Sequence, residues 1–161
     1  MLNFIKEELI ISVTENMDVL NNFFEINGLE ISEDEPVVTN VIKAWRVDNR
    51  DIVENSGDVS DSSLVAGICL AFREGAYIID GIAVDESLRG KKVGEYLLNL
   101  AIDEVKKRGG NEIFLVARSP GFFFKQGFEE IGQEGAPLFY ECAGCEQYNV
   151  TCFPKIMVLH V

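Results

Sequence analysis

The residues best placed to do chemistry lie in Ser87–Leu98, SLRGKKVGEYLL, where Arg89, Lys91, Lys92 and two glycines precede a helical pattern. Concentrating cations there is unusual in a chain of net charge −13. Cations oppose the partial positive charge of a helix N-terminus, so a capped helix with solvated basic residues is the weaker explanation. A strand running to Val84, a loop and then a helix make an anion site. The first helical amides lack intrahelical acceptors, and glycines let backbone approach a phosphate closely. The spacing G-x-x-x-x-G-K-[ST] is absent, and so is G-x-G-x-x-G, which excludes the two commonest nucleotide loops.

Other candidates are more dispersed. Asp80 lies on the strand leading to this loop, and strict period two puts it on one face with Ile78, Ile82 and Val84. A carboxylate on such an apolar face is a candidate proton acceptor or ammonium contact. Arg46, Arg73 and Arg118 are guanidiniums able to meet an anionic group, and Arg118 lies just after its strand. Tyr96 reads as a packing residue, and the single histidine, His160, as structural unless it joins the cysteines. Cys142, Cys145 and Cys152 form a C-x2-C pair plus one further cysteine. Three thiolates suit tetrahedral zinc but leave one ligand to be found elsewhere. Reduced structural thiols, or a disulfide between Cys142 and Cys145, are the competing states. Cys69, inside LVAGICLAF, reads as a small buried residue.

These residues need a scaffold. Alternation and turn signals predict strands over 5–13, 41–48, 64–73, 77–84, 112–117, 128–132 and 156–161. Residues 16–27 read as a helix, 49–63 as a turn-rich acidic loop, and Glu74-Gly75 as a hairpin turn. Leu98, Ala101, Ile102 and Val105 follow helical spacing on a helix that continues to about Arg108. Ser119-Pro120 is a cap and first-turn pair for a short helix that Gly127 stops. The order predicts an α/β (α+β) fold, a mixed and mainly antiparallel sheet flanked by helices. At 161 residues, with no linker or repeat, residues 1–161 read as one domain carrying a Cys-containing segment at 140–161.

A content of 47% hydrophobic and 25% charged residues is that of a globular chain. No apolar run reaches the roughly 20 residues that span a bilayer. The acidic balance argues against a nucleic-acid partner. Glu7 and Glu8 interrupt the N-terminal apolar run, so no signal peptide is expected, and with these cysteines the location expected is cytoplasmic.

Arg89-Gly90-Lys91-Lys92-Val93-Gly94 resembles the pyrophosphate loop of GNAT-type N-acetyltransferases, [QR]-x-x-G-x-[GA]. The preceding IAVDESLRG and the later FFFKQGF, similar to the family's F-Y-x-K-x-G-F, extend the resemblance over roughly residues 64–132. Two positions depart: Lys92 stands where a glycine is usual, and Phe123 where many members carry a tyrosine that protonates the departing thiolate. The resemblance implies acetyl-CoA in a V-shaped opening between strands 77–84 and 112–117. Ile82, Ala83 and Val84 would meet the pantetheine and thioester. Arg89, Gly90, Lys91, Lys92, Val93 and Gly94 would hold the pyrophosphate, with the amides of Lys91, Val93 and Gly94 as donors, and Ser119 and Phe123 would complete the site. A primary amine would attack directly, with Asp80 as base and Arg118 on the substrate. The Cys-rich tail loosely resembles short N-acetylglutamate synthase-like members, which implies an amino-acid acceptor, glutamate first. Alternatives are a protein lysine or N-terminal acetyltransferase and a non-catalytic CoA- or metal-binding sensor. A homodimer is expected from the pairing habits of the family.

Overall fold

A computed structural model describes residues 7–27, 40–73, 75–117, 121–131 and 155–161. Seven strands form one sheet: β1 (Leu9–Thr14), β2 (Asn40–Asn49), β3 (Leu64–Arg73), β4 (Ala76–Val84), β5 (Glu112–Ala117), β6 (Glu129–Ile131) and β7 (Lys155–His160). Their order across the sheet is β1-β2-β3-β4-β5-β7-β6. Among the described residues every pairing is antiparallel except β4 with β5. The helices are α1 (Met17–Ile26), α2 (Arg50–Ser56), α3 (Val93–Lys107) and α4 (Gly121–Lys125).

The apolar stripe of α3 dictates its placement. Val93, Leu97, Leu98, Ala101 and Val105 are buried against Trp45, Val47, Ile68, Leu70, Ile79 and Leu115 of the sheet. Glu104 ties the helix to β2, its Oε1 accepting from Lys43 Nζ at 3.0 Å. The opposite face is covered by α1, whose Leu20, Phe23 and Phe24 pack on Ala44, Leu64 and Cys69. A Cβ at Gly81 would come within 2.5 Å of the Phe24 ring, so that glycine sets how closely α1 approaches β4.

Two expectations change. Residues 49–63 are not wholly loop, because α2 occupies Arg50–Ser56. Asn49 caps it through Oδ1, which accepts from Ile52 N at 3.1 Å. That helix buries no residue, so it left no hydrophobic period to read. The second change is in β4. Cys69 faces Gly81, yet Leu70 faces Ile79, so Asp80 is an extra residue in a β-bulge. The bulge breaks period two: Ile79 and Ile82 pack toward α3, while Ile78 joins Ala71 and Ile156 on the other face.

Candidate functional site

The loop between β4 and α3 is built by local hydrogen bonds. Asp85 N donates to Val65 O at 2.8 Å, tethering the end of β4 to β3. Asp85 Oδ1 then accepts from Ser87 N at 2.9 Å and Ser87 Oγ at 2.7 Å, capping a 3-10 turn at Glu86–Leu88. Those two bonds hold the Asp85 carboxyl below the usual carboxylate range. Arg89 N donates to Glu86 O and Lys91 N to Leu88 O, at 3.2 and 3.3 Å. The expected donor role of the Lys91 amide therefore competes with a turn bond.

Gly90 and Lys92 both take positive φ, 84° and 62°. Among the described residues Lys92 is the one non-glycine in that region. The turn keeps the backbone a glycine would adopt, with lysine bearing the strain. Lys92 makes no side-chain cap, and Val93, Gly94 and Glu95 are the first residues of α3. Their amides have no intrahelical acceptor and so remain available to an anion. Gly94 lies between two walls: a Cβ there would be 3.3 Å from the Phe122 ring and 3.7 Å from Val84 Cγ2.

Strain at Lys92 gives a direct expectation. A left-handed non-glycine costs about 1–2 kcal/mol, partly offset by the greater unfolded-state entropy of glycine. Lys92→Gly should be more stable than Lys92→Ala by about 1 kcal/mol in thermal or denaturant unfolding. Both variants lose the cation, so the difference isolates the backbone. Equal stability would show that the turn relaxes without strain.

The expected opening is present beside this loop. β4 and β5 are paired at Ile78↔Phe114, and their later residues, toward Val84 and Ala117, have no rung between them. Asp85 N points to β3, so strand alternation turns the amides of Ala83 and Gly81 the same way. Those of Ile82 and Val84 then point to the β5 side, into the gap. Two backbone donors thus line the splayed strands at the end of β4, before the loop that leads to the helix N-terminus.

Asp80 stands at the root of this gap. Its Oδ1 accepts from Arg73 Nη2 at 3.2 Å, and the two side chains are 26% and 2% exposed. Cys69 lies near both: burial, and then the Asp80 charge, push its thiol up to about 12, with Arg73 opposing. A thiol so held stays protonated and is not a nucleophile. Phe123 is half-buried and packs edge-on against Phe122 and Phe128, with ring centroids 5.1 and 5.7 Å away. Tyr96 is a packing residue against the core, as expected.

Arg46 does not face a substrate. Its Nε and Nη2 donate to Asp48 at 2.8 and 2.7 Å, and Nη2 also donates to Ser60 O. Arg118 and Ser119 lie outside the described residues, as do Cys142, Cys145 and Cys152. Among the described residues no three His, Cys, Asp or Glu side chains are grouped to hold a metal. His160 instead lies 3.5 Å from Glu112. No described helix is long and apolar enough to cross a membrane. The Arg73–Asp80 pair and Phe122 were not anticipated. The pair depends on a bulge, and Phe122 on which ring of a three-phenylalanine run turns toward Gly94.

Comparison with known proteins agrees with this geometry. A family model described as Acetyltransferase (GNAT) family matches residues 17–128. An uncharacterized N-acetyltransferase of Chlorobaculum tepidum is 33% identical over 82 residues, 50% of this chain and 52% of that protein. The match thus spans about half the length of that relative. A GNAT-family acetyltransferase structure from Staphylococcus aureus Mu50 superposes with a TM-score of 0.63 at 15% identity, covering 94% of this chain and 98% of that one. The structure of Rv2747 from Mycobacterium tuberculosis, in complex with CoA, gives 0.63 at 15% identity over 94% of this chain and 99% of its own. N-acetylglutamate synthase from Neisseria gonorrhoeae, complexed with coenzyme A and N-acetyl-glutamate, gives 0.60 at 15% identity over 94% of this chain and 35% of its own. These likenesses speak for the fold, and the family model, which spans well over half of the sequence, speaks for descent: the chain belongs to the GNAT family of acetyltransferases.

Proposed function

We propose that this acetyltransferase moves the acetyl group of acetyl-CoA to the primary amine of a small substrate, an amino acid with glutamate the first candidate. The observation that carries the cofactor assignment is the pairing of two outward amides, Ile82 and Val84, with the uncapped start of α3. Acetyl-CoA supplies an acyl group already activated as a thioester. Arg89, Lys91 and Lys92 provide cationic surroundings for its phosphates, and the amides of Val93, Gly94 and Glu95 donate to the pyrophosphate. The Ile82 and Val84 amides donate to the thioester carbonyl and to the oxyanion that develops there. Asp80 takes a proton from the acceptor ammonium, directly or through one water. The freed amine forms the C–N bond as the C–S bond breaks, and the new amide nitrogen gives up its second proton to solvent. Phe123 has no proton to give, so the departing thiolate takes one from solvent.

The amino-acid assignment draws on two things: the looser resemblance of the tail, and the fold shared with a synthase that binds N-acetyl-glutamate. Incubation with acetyl-CoA and each free amino acid, read by mass spectrometry of the product, tests it. An N-acetylated amino acid, glutamate above the rest, is the expected outcome. Acetylation only of lysyl or N-terminal peptides would replace the acceptor class, and no turnover of any amine would favour a sensor. Metal at Cys142, Cys145 and Cys152 is decided separately by metal analysis of the purified, reduced protein.

A further inference from the structure

A buried guanidinium is costly unless partnered, and the Arg73 side chain is 2% exposed. Its register position explains the enclosure. Arg73 lies across from Ala76 at the hairpin end of β3 and, by alternation, on the α1 side with Cys69 and Ala71. Asp80 is the residue the bulge forces out of the ladder. A bulged residue has no cross-strand neighbour directly opposite to fix its side chain. The Arg73 guanidinium does so at 3.2 Å, while the Asp80 side chain remains 26% exposed. Phe24 of α1, seated on Gly81, closes the side next to the pair.

We infer that Arg73 is a positioning residue for this reaction, holding the Asp80 carboxylate at the root of the β4–β5 gap in the orientation that receives the acceptor's proton. This rests on Asp80 being the base, as proposed above. Cys69 of β3 faces the pair as a neutral thiol. On α1, Asp18 and Glu25 are exposed, and on β5 Glu112 is paired across to β7 at His160. Among these groups Arg73 is the cation in hydrogen-bond contact with the Asp80 carboxylate.

The test uses the full chain and two readouts. In carbon-13 NMR of the side-chain carboxyls, assigned with Asp80→Asn, Arg73→Gln should move the Asp80 titration upward, because an adjacent cation is lost. An unmoved titration overturns the inference. Arg73→Lys keeps the charge but not the planar fork, and it also serves if the glutamine variant does not fold. It should lower kcat roughly tenfold through misplacement, with the KM for acetyl-CoA unchanged. Lysine at full kcat, or a change confined to KM, also overturns the inference. Asp80→Asn, assayed on the amine found in the amino-acid panel, separates the two levels. Full activity there removes Asp80 as the base. A dead asparagine variant with Arg73 variants unaffected removes only the role of Arg73.

Discussion

Gly94→Leu should lower the affinity for acetyl-CoA by at least tenfold in calorimetric titration while leaving a folded protein. Gly94 is half-buried at the first turn of α3, and its missing Cβ is what keeps its amide approachable. Even a methyl there would sit 3.3 Å from the Phe122 ring and 3.7 Å from Val84 Cγ2. Leucine must therefore either displace Phe122 or project over the amides of Val93 and Gly94. The second course screens the donors from the pyrophosphate, and each hydrogen bond to a charged group is worth about 1.5–3 kcal/mol. Loss of one is roughly a tenfold to hundredfold change in Kd. The fold should survive because Phe122 is 37% exposed and has room to swing outward. Gly94→Ala, which asks Phe122 to yield by a few tenths of an ångström, should retain most of the affinity. Equal binding by all three proteins would remove the start of α3 as the phosphate site.

How much was legible follows from which interactions are local. The order of strands, the long helix and the glycine–cation loop are written in short windows, and the elements fall within a few residues of expectation. At Lys92 the motif and the structure agree for a physical reason, since the turn demands a left-handed residue whichever side chain is present. The bulge at Asp80 is different. Nothing in AYIIDGIAV marks one residue as surplus; it becomes surplus only against the register of β3. Period two therefore placed Ile78 and Ile82 together, and the structure sets them on opposite faces. Arg46 shows the same limit in charge chemistry. The sequence shows a guanidinium two residues from a carboxylate in a strand, which fits equally a substrate contact and an internal ion pair. Burial decides between them, and burial is a property of the whole fold.

That internal pair carries a large expected stability effect. Asp48 is fully buried, accepting from Arg46 Nε and Nη2 and, at 2.6 Å, from Ser63 Oγ. Arg46 Nη2 also donates to Ser60 O, which lies 2.9 Å from Ser63 Oγ, so one carboxylate organises the turn that leads into β3. The hydrogen bond to Asp48, opposed by burial and then aided by the Asp48 charge, raises the Arg46 pKa above its already high ordinary value. Removing the anion alone leaves a guanidinium that is 10% exposed with its partner gone. Asp48→Ala should therefore cost about 3–5 kcal/mol in denaturant unfolding. An apolar pair of similar volume, Arg46→Met with Asp48→Leu, removes both charges together and should cost much less than Asp48→Ala alone. Part of the loss will remain, because Ser63 Oγ still has Ser60 O to meet but loses its bond to the carboxylate. The double variant should also keep its acetyl-CoA affinity, since the pair lies on β2, two strands from the gap beside β4. A double variant as unstable as Asp48→Ala would mean that the hydrogen bonds to the turn, rather than the uncompensated charge, set the cost.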